Sequence, residues 1–131
     1  MLSRRLRGAE RGSAVVEFAL VLPILMIITL ALVQVGLLAR DQLLVMQAAR
    51  AGARQAAVDS DEAAIRSAAV GAAAALDPDR VVVSVERGGG RGEPVTVSVG
   101  YEAPIGVPFV EWLFPPAASL GASATMRQEF T

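Results

Sequence analysis

The sequence predicts an α+β protein: a long N-terminal helix that crosses a membrane and continues as a stalk, a second short helix, and a small three-stranded antiparallel sheet packed on the stalk. Three observations predict it. Residues 18–39 are apolar, without one charged side chain. Residues 40–58 stay helical in character, with no proline and with small residues recurring at every fourth position. After Pro78 the hydrophobic period changes to two, in three separate runs.

These changes divide the chain into a basic leader (residues 1–12), a membrane helix with its extracytoplasmic extension (13–58) and a small extracytoplasmic head (59–131). Of the 131 residues, 53% are hydrophobic, which is too apolar for an ordinary soluble domain. A head of about 70 residues has a marginal core by itself. The net charge of −1 conceals a split: Arg4, Arg5, Arg7 and Arg11 crowd the leader against Glu10, whereas the chain beyond Ala39 leans acidic. No basic stripe marks the head, so no nucleic-acid partner is expected. The chain has no cysteine and no histidine. That removes Cys/His zinc sites, thiol nucleophiles and histidine-based triads. Asp59, Asp61, Asp77 and Asp79 fall at helix ends and turns, where capping accounts for them. The expectation is no enzyme, no metal, no cofactor and no small-molecule substrate.

The arginines keep the leader cytoplasmic by the positive-inside rule and send the head to the other side. The apolar run that follows is about 22 residues, or about 33 Å of helix, against a hydrocarbon core of about 30 Å. It is longer than the apolar region of a secretory signal, about 7–15 residues. Glu17 stands at its edge, where a charge in the bilayer costs roughly 2.5–3.5 kcal/mol or more. Assembly would account for it. A cut between Gly12 and Ser13 makes Glu17 the fifth residue of a new N-terminus, where its carboxylate can pair with the freed α-amine of a neighbouring copy. Pro23 removes one amide donor and crowds the Ala19 carbonyl, so a kink is expected there. That kink is either a harmless bend or a place where the helix loosens on leaving the bilayer.

In the stalk, Ala48, Gly52 and Ala56 recur at spacing four beside Ala49, Ala53 and Ala57. Such a face admits another helix or a sheet at short range. Asp59 and Glu62 have the spacing of a capping box for a second helix over residues 60–76, closed by Asp77-Pro78. Val81, Val83 and Val85 then alternate with polar neighbours, and Gly88-Gly89-Gly90-Arg91-Gly92 makes a loose hairpin. Val95, Val97, Val99 and Tyr101 form the second strand, and Leu120, Ala122, Ala124 and Met126 the third. No Lys-Ser/Thr follows the glycines and the next element is a strand, so they are not a phosphate loop. Between the last two strands lie four prolines and the aromatics Phe109, Trp112 and Phe114. These either pack across the floor of the sheet or contact a membrane interface or a partner.

Arg11-Gly12, Glu17-Phe18, Leu22-Pro23 and Ala48-Ala49-Arg50-Ala51-Gly52-Ala53-Arg54 together resemble the TadE-like family, pilin-like minor subunits of tight-adherence (Tad/Flp) type IV pilus machinery. The resemblance covers roughly residues 11–58. It implies a pilin-like fold and cleavage after Gly12 by a prepilin peptidase at the cytoplasmic face of the membrane. It also implies that Glu17, beside Phe18, is the assembly glutamate, with other pilin or pseudopilin subunits as partners. The residue after the cut is Ser13 rather than the Phe of many type IV pilins. Major Flp pilins share this leader but have almost no head, so the β region points to a minor subunit. The competing expectation is an uncleaved single-pass anchor whose head binds another component of a secretion or pilus machine.

Overall fold

The computed structural model describes the backbone of residues 2–129 and the side chains of residues 12–129. The leader arginines Arg4, Arg5, Arg7 and Arg11 have side chains outside the described residues. Helix α1 (Leu2–Val58) runs without interruption through the leader, the apolar run and the stalk, a rod of about 85 Å. No break in secondary structure marks Gly12, and none marks Pro23, which lies inside the continuous helix. Helix α2 (Glu62–Ala72) folds back against α1. A single 3-10 turn at Pro78–Arg80 then leads into the antiparallel sheet β1 (Val81–Arg87), β2 (Pro94–Pro104) and β3 (Ala117–Arg127), in that spatial order. This is the α+β architecture expected from the pattern.

Helix α2 starts later and ends earlier than residues 60–76. Its N-cap is Asp61, whose Oδ1 accepts the Ala63 amide at 3.0 Å. Asp59 does not form the expected capping box with Glu62. Its carboxylate instead accepts the Asp61 amide and the Gln55 side-chain amide, rounding the corner between the helices. A short polar side chain can serve either turn, and spacing alone does not choose between them. At the far end the chain leaves the helix at Ala73. Asp77 caps the 3-10 turn through the Asp79 amide.

The sheet lies along the stalk with the predicted faces inward. Val81, Val95, Val97, Val99, Tyr101 and Ala103 are buried, and Leu120, Ala122, Ala124 and Met126 pack at the edge of the same core. The opposite face is wet, with Thr96 and Thr125 hydrogen-bonded across β2 and β3 at 2.8 Å. From α1 the core receives Val45, Ala48, Ala49, Ala53, Ala56 and Ala57, and from α2 it receives Ile65 and Ala69. Gly52 marks the closest approach of the three layers. A β-carbon there would sit 3.0 Å from Val97 Cγ1 and 3.3 Å from Ala69 Cβ.

The C-terminal end of α1 is tied down by parts of the chain far away in sequence. The last carbonyls of a helix have no partner inside it and carry its partial negative charge. Arg87, at the end of β1, donates from Nη1 to the Ala56 carbonyl and from Nη2 to the Asp59 carbonyl, each at 3.0 Å. The Glu129 amide donates to the Ala57 carbonyl at 2.8 Å. Buried Gln128 accepts a second bond from Arg87 Nη1 and donates to the Gly90 carbonyl, while its backbone pairs with Glu93 and Gly92. Gly92, at φ 86°, supplies the left-handed turn this junction requires. Halfway down, the Gln42 side chain donates to the Gly121 carbonyl at 2.9 Å and pins β3 to the stalk.

Two outcomes are expected in thermal unfolding of the full chain in detergent. Gly52→Leu collides with Val97 and Ala69 and costs about 1–3 kcal/mol or more, whereas Gly71→Ala, where a β-carbon meets nothing, stabilises by up to about 1 kcal/mol. Arg87→Met, which takes the guanidinium from the Ala56 and Asp59 carbonyls, lowers stability by about 1–3 kcal/mol. Arg87→Lys restores only part of that, because one ammonium cannot reproduce the planar fork.

Candidate functional site

The lower end of α1 is the most exposed of the described parts of the helix. Residues 12–26 are exposed throughout, Val15, Val16, Phe18, Leu20 and Leu22 among them. The segment Gly12–Val58 is long and apolar enough to cross a membrane, and none of its most apolar window is buried inside the molecule. A core helix of a soluble domain would be mostly covered. This one presents its apolar surface outward on all sides, as a lipid-embedded helix does.

Ser13 and Glu17 meet at this bare end. They are one turn apart on the same face, and the Ser13 hydroxyl donates to Glu17 Oε1 at 3.2 Å. Gly12, Ser13, Glu17 and Phe18 are all exposed, and nothing lies within 4 Å of where a Gly12 β-carbon would be. At about 100° per residue, Glu17 points about a quarter turn away from Gln34, which lies under the head. The carboxylate is therefore offered to the surroundings and not to the protein's own sheet. Farther along, the Thr29 hydroxyl donates to the Leu25 carbonyl at 2.8 Å, so it is satisfied within the helix.

From Ile27 upward a stripe of α1 becomes covered: Ile27, Leu30, Ala31, Gln34 and Leu38 lead into the small-residue seam. The packing residues Ala48, Gly52, Ala53 and Ala56 all lie in that seam, facing the protein's own α2 and sheet. Within the chain they serve the head, and they are not a free surface for a second subunit.

The aromatic connection between β2 and β3 does not cross the floor of the sheet. Val107 and Val110 turn inward, but Phe109 and Trp112 are 73% and 74% exposed, with Leu113 beside them, and Phe114 is half-buried. Phe109 has φ 67°, a conformation that is costly for a bulky side chain. Its ring reaches down the helix and closes an apolar cleft of about 240 Å³ with Pro23, Met26, Ile27 and Leu30. Pro23 thus lies beside the tip of the head, a neighbour that its place in the apolar run gives no hint of.

Sequence reasoning passed over three residues. Arg87 and Gln128 hold the helix end through contacts spanning 28 to 41 positions, and no local pattern signals such a contact. Gln34 is 1% exposed, and its Oε1 has no hydrogen-bond partner. Its signal was available: it is the one amide side chain in residues 18–39. The head shields it, so it does not face the surroundings that the bare helix faces.

No curated protein and no solved structure matches the chain. A family model does match, and it begins at the bare end and stops inside the small-residue seam. It takes in Gly12, Ser13, Glu17 and Pro23, together with Ala48, Gly52 and Ala53. Over residues 12–54 the chain matches the family of TadE-like proteins.

Proposed function

We propose that the chain is a minor pilin-like subunit of Tad/Flp-type pilus machinery. It is held in the cytoplasmic membrane as a single-pass protein with its leader in the cytoplasm and its head outside. A prepilin peptidase cuts it after Gly12, and it joins a pilus by packing its bare helix among those of other subunits. The observation that carries this reading is the register: the family match starts at Gly12, and Ser13 and Glu17 share an exposed face of a helix end that the head leaves free.

The chemistry follows from that register. In the uncut chain the leader continues the helix, so cleavage needs local unwinding, and Gly12 lowers its cost. Removing residues 1–12 takes away all four leader arginines, which anchored this end to the cytoplasmic side. What remains at the bare end is one carboxylate, Glu17, and one new amine on Ser13. Each charge alone is expensive in an apolar medium, and a close opposite partner offsets much of that cost. An amine from one subunit and Glu17 from the next satisfy both. The rest of the bare helix exchanges lipid for other apolar helices, with little change of solvent.

A second reading, an uncleaved anchor whose head binds another component of the machine, draws on the exposed Phe109, Trp112 and Leu113. The two separate experimentally. Mass spectrometry of the mature protein from its native membrane is expected to find Ser13 as the first residue; an intact leader on the functional protein would falsify the first reading. Gly12→Leu is expected to block processing and pilus incorporation, and under the anchor reading it changes nothing. Glu17→Val is expected to leave membrane insertion intact and to reduce incorporation into pili at least tenfold, the effect of losing about 1.4 kcal/mol.

A further inference from the structure

We propose that the tip between β2 and β3 is a second membrane element, a wedge that carries Phe109, Trp112 and Leu113 into the acyl chains beside the span. This inference shares with the proposed function only the premise that α1 is embedded in lipid; it needs neither cleavage nor the Glu17 pair.

The argument begins with a length. The stretch of α1 that is exposed without interruption is residues 12–26, about 22 Å of helix at 1.5 Å per residue. A hydrocarbon core is about 30 Å thick. The missing 8 Å or so must come from residues 27–32, and the tip already lies against the helix at this level and just below it, Phe109 closing its cleft on Pro23, Met26, Ile27 and Leu30. Shifting the bilayer toward the N-terminus does not free the tip, because it would draw Arg11 into hydrocarbon and Glu17 toward its centre. With Gly12 at one boundary the midplane falls near residue 22, and the tip lies in the leaflet on the head's side.

The tip is built for that medium. Among residues 105–116 only Glu111 is charged. Three of the twelve are prolines with no amide to satisfy, at positions 108, 115 and 116. The Trp112 indole N–H, which ordinarily reaches for water when exposed, donates to the Phe109 carbonyl at 2.9 Å, and the Leu113 amide donates to the Val110 carbonyl at 2.9 Å. These two bonds, with that of the Phe114 amide to the Glu111 carbonyl, satisfy polar groups within the tip and leave the Phe109, Trp112 and Leu113 side chains as its large exposed apolar surface. Glu111 is exposed, and its cost at the bilayer centre keeps the wedge short of the midplane. The strained backbone at Phe109 belongs to the same picture: glycine would hold that turn at lower cost, but only a large apolar side chain fills the space between tip and span.

Trp112 is the sole tryptophan of the chain, so its fluorescence reports on the tip alone. The full chain is reconstituted in phosphatidylcholine vesicles that contain lipids brominated at defined positions along the acyl chain. The expected result is emission blue-shifted from that of free tryptophan, quenched more strongly by acyl-chain bromines than by labels in the headgroup, and quenched by acrylamide several-fold more weakly than free indole. Phe109→Asp, a residue that tolerates the left-handed backbone better than Phe, is expected to shift the emission to the red and restore acrylamide quenching while the span stays inserted. Free access of acrylamide with no effect of bromine overturns the proposal. So does shielding that ignores bromine and disappears as protein is diluted in lipid, because a second copy, not lipid, then covers the tip. An unchanged spectrum in Phe109→Asp overturns it as well. A failure here leaves Ser13 processing and the effect of Glu17→Val untouched, so the two proposals fall separately.

Discussion

The rest of the structure depends on how closely a sheet and a second helix can approach one long helix. A head of about 70 residues has a marginal core by itself, and it takes six of the sixteen buried residues of its core from the stalk. The seam at Ala48, Ala49, Gly52, Ala53, Ala56 and Ala57 has almost no side-chain bulk, and α2 and the valines of β2 close onto the helix backbone itself. Helix, helix and sheet then form one unit, and any side chain larger than alanine at the centre of the seam forces those layers apart.

Because that unit is continuous with the apolar rod, whatever positions the rod positions the head. The polar ties lie where the seam ends: Arg87 and Glu129 on the last α1 carbonyls, Gln128 on Arg87, and Gln42 on β3. Charge-assisted bonds to a helix C-terminus are worth more than neutral ones, and here they join β1, the glycine hairpin and the chain's last described residues to one point. Below the seam, polar groups are either satisfied within the helix, as at Thr29, or covered by the head, as at Gln34. The bare end keeps one hydrogen-bonded pair of polar neighbours, the Ser13 hydroxyl and the Glu17 carboxyl group, turned outward. The molecule separates its surfaces along a single axis, with a polar face on the sheet, a protein-covered seam and an exposed apolar lower helix that is long enough to cross a membrane.

The alternative explanations of the aromatic connection turned on depth, and depth is a tertiary property. Phe109, Trp112 and Phe114 have the composition of a core lid as much as of a membrane contact. Val107 and Val110 take the inward positions, so the larger rings are left outside, and the strands are long enough to carry them past the stalk to the level of Pro23.

From the residues alone follow the long helix to Val58, the three strands with their inward faces, the small-residue seam and the Gly12–Glu17 register. Each is a repeating or short-range pattern, and helical and strand periods are set by local backbone geometry. The start of α2 does not follow from spacing, because Asp59 and Asp61 can each cap a turn and only the corner they build selects Asp61. Folding alone decides that Arg87 serves a helix end 28 to 31 residues earlier, that Gln34 lies beneath the head, and that the tip reaches the apolar rod. Those contacts join segments distant along the chain, and their energy comes from surroundings that exist only once the sheet has closed on the stalk.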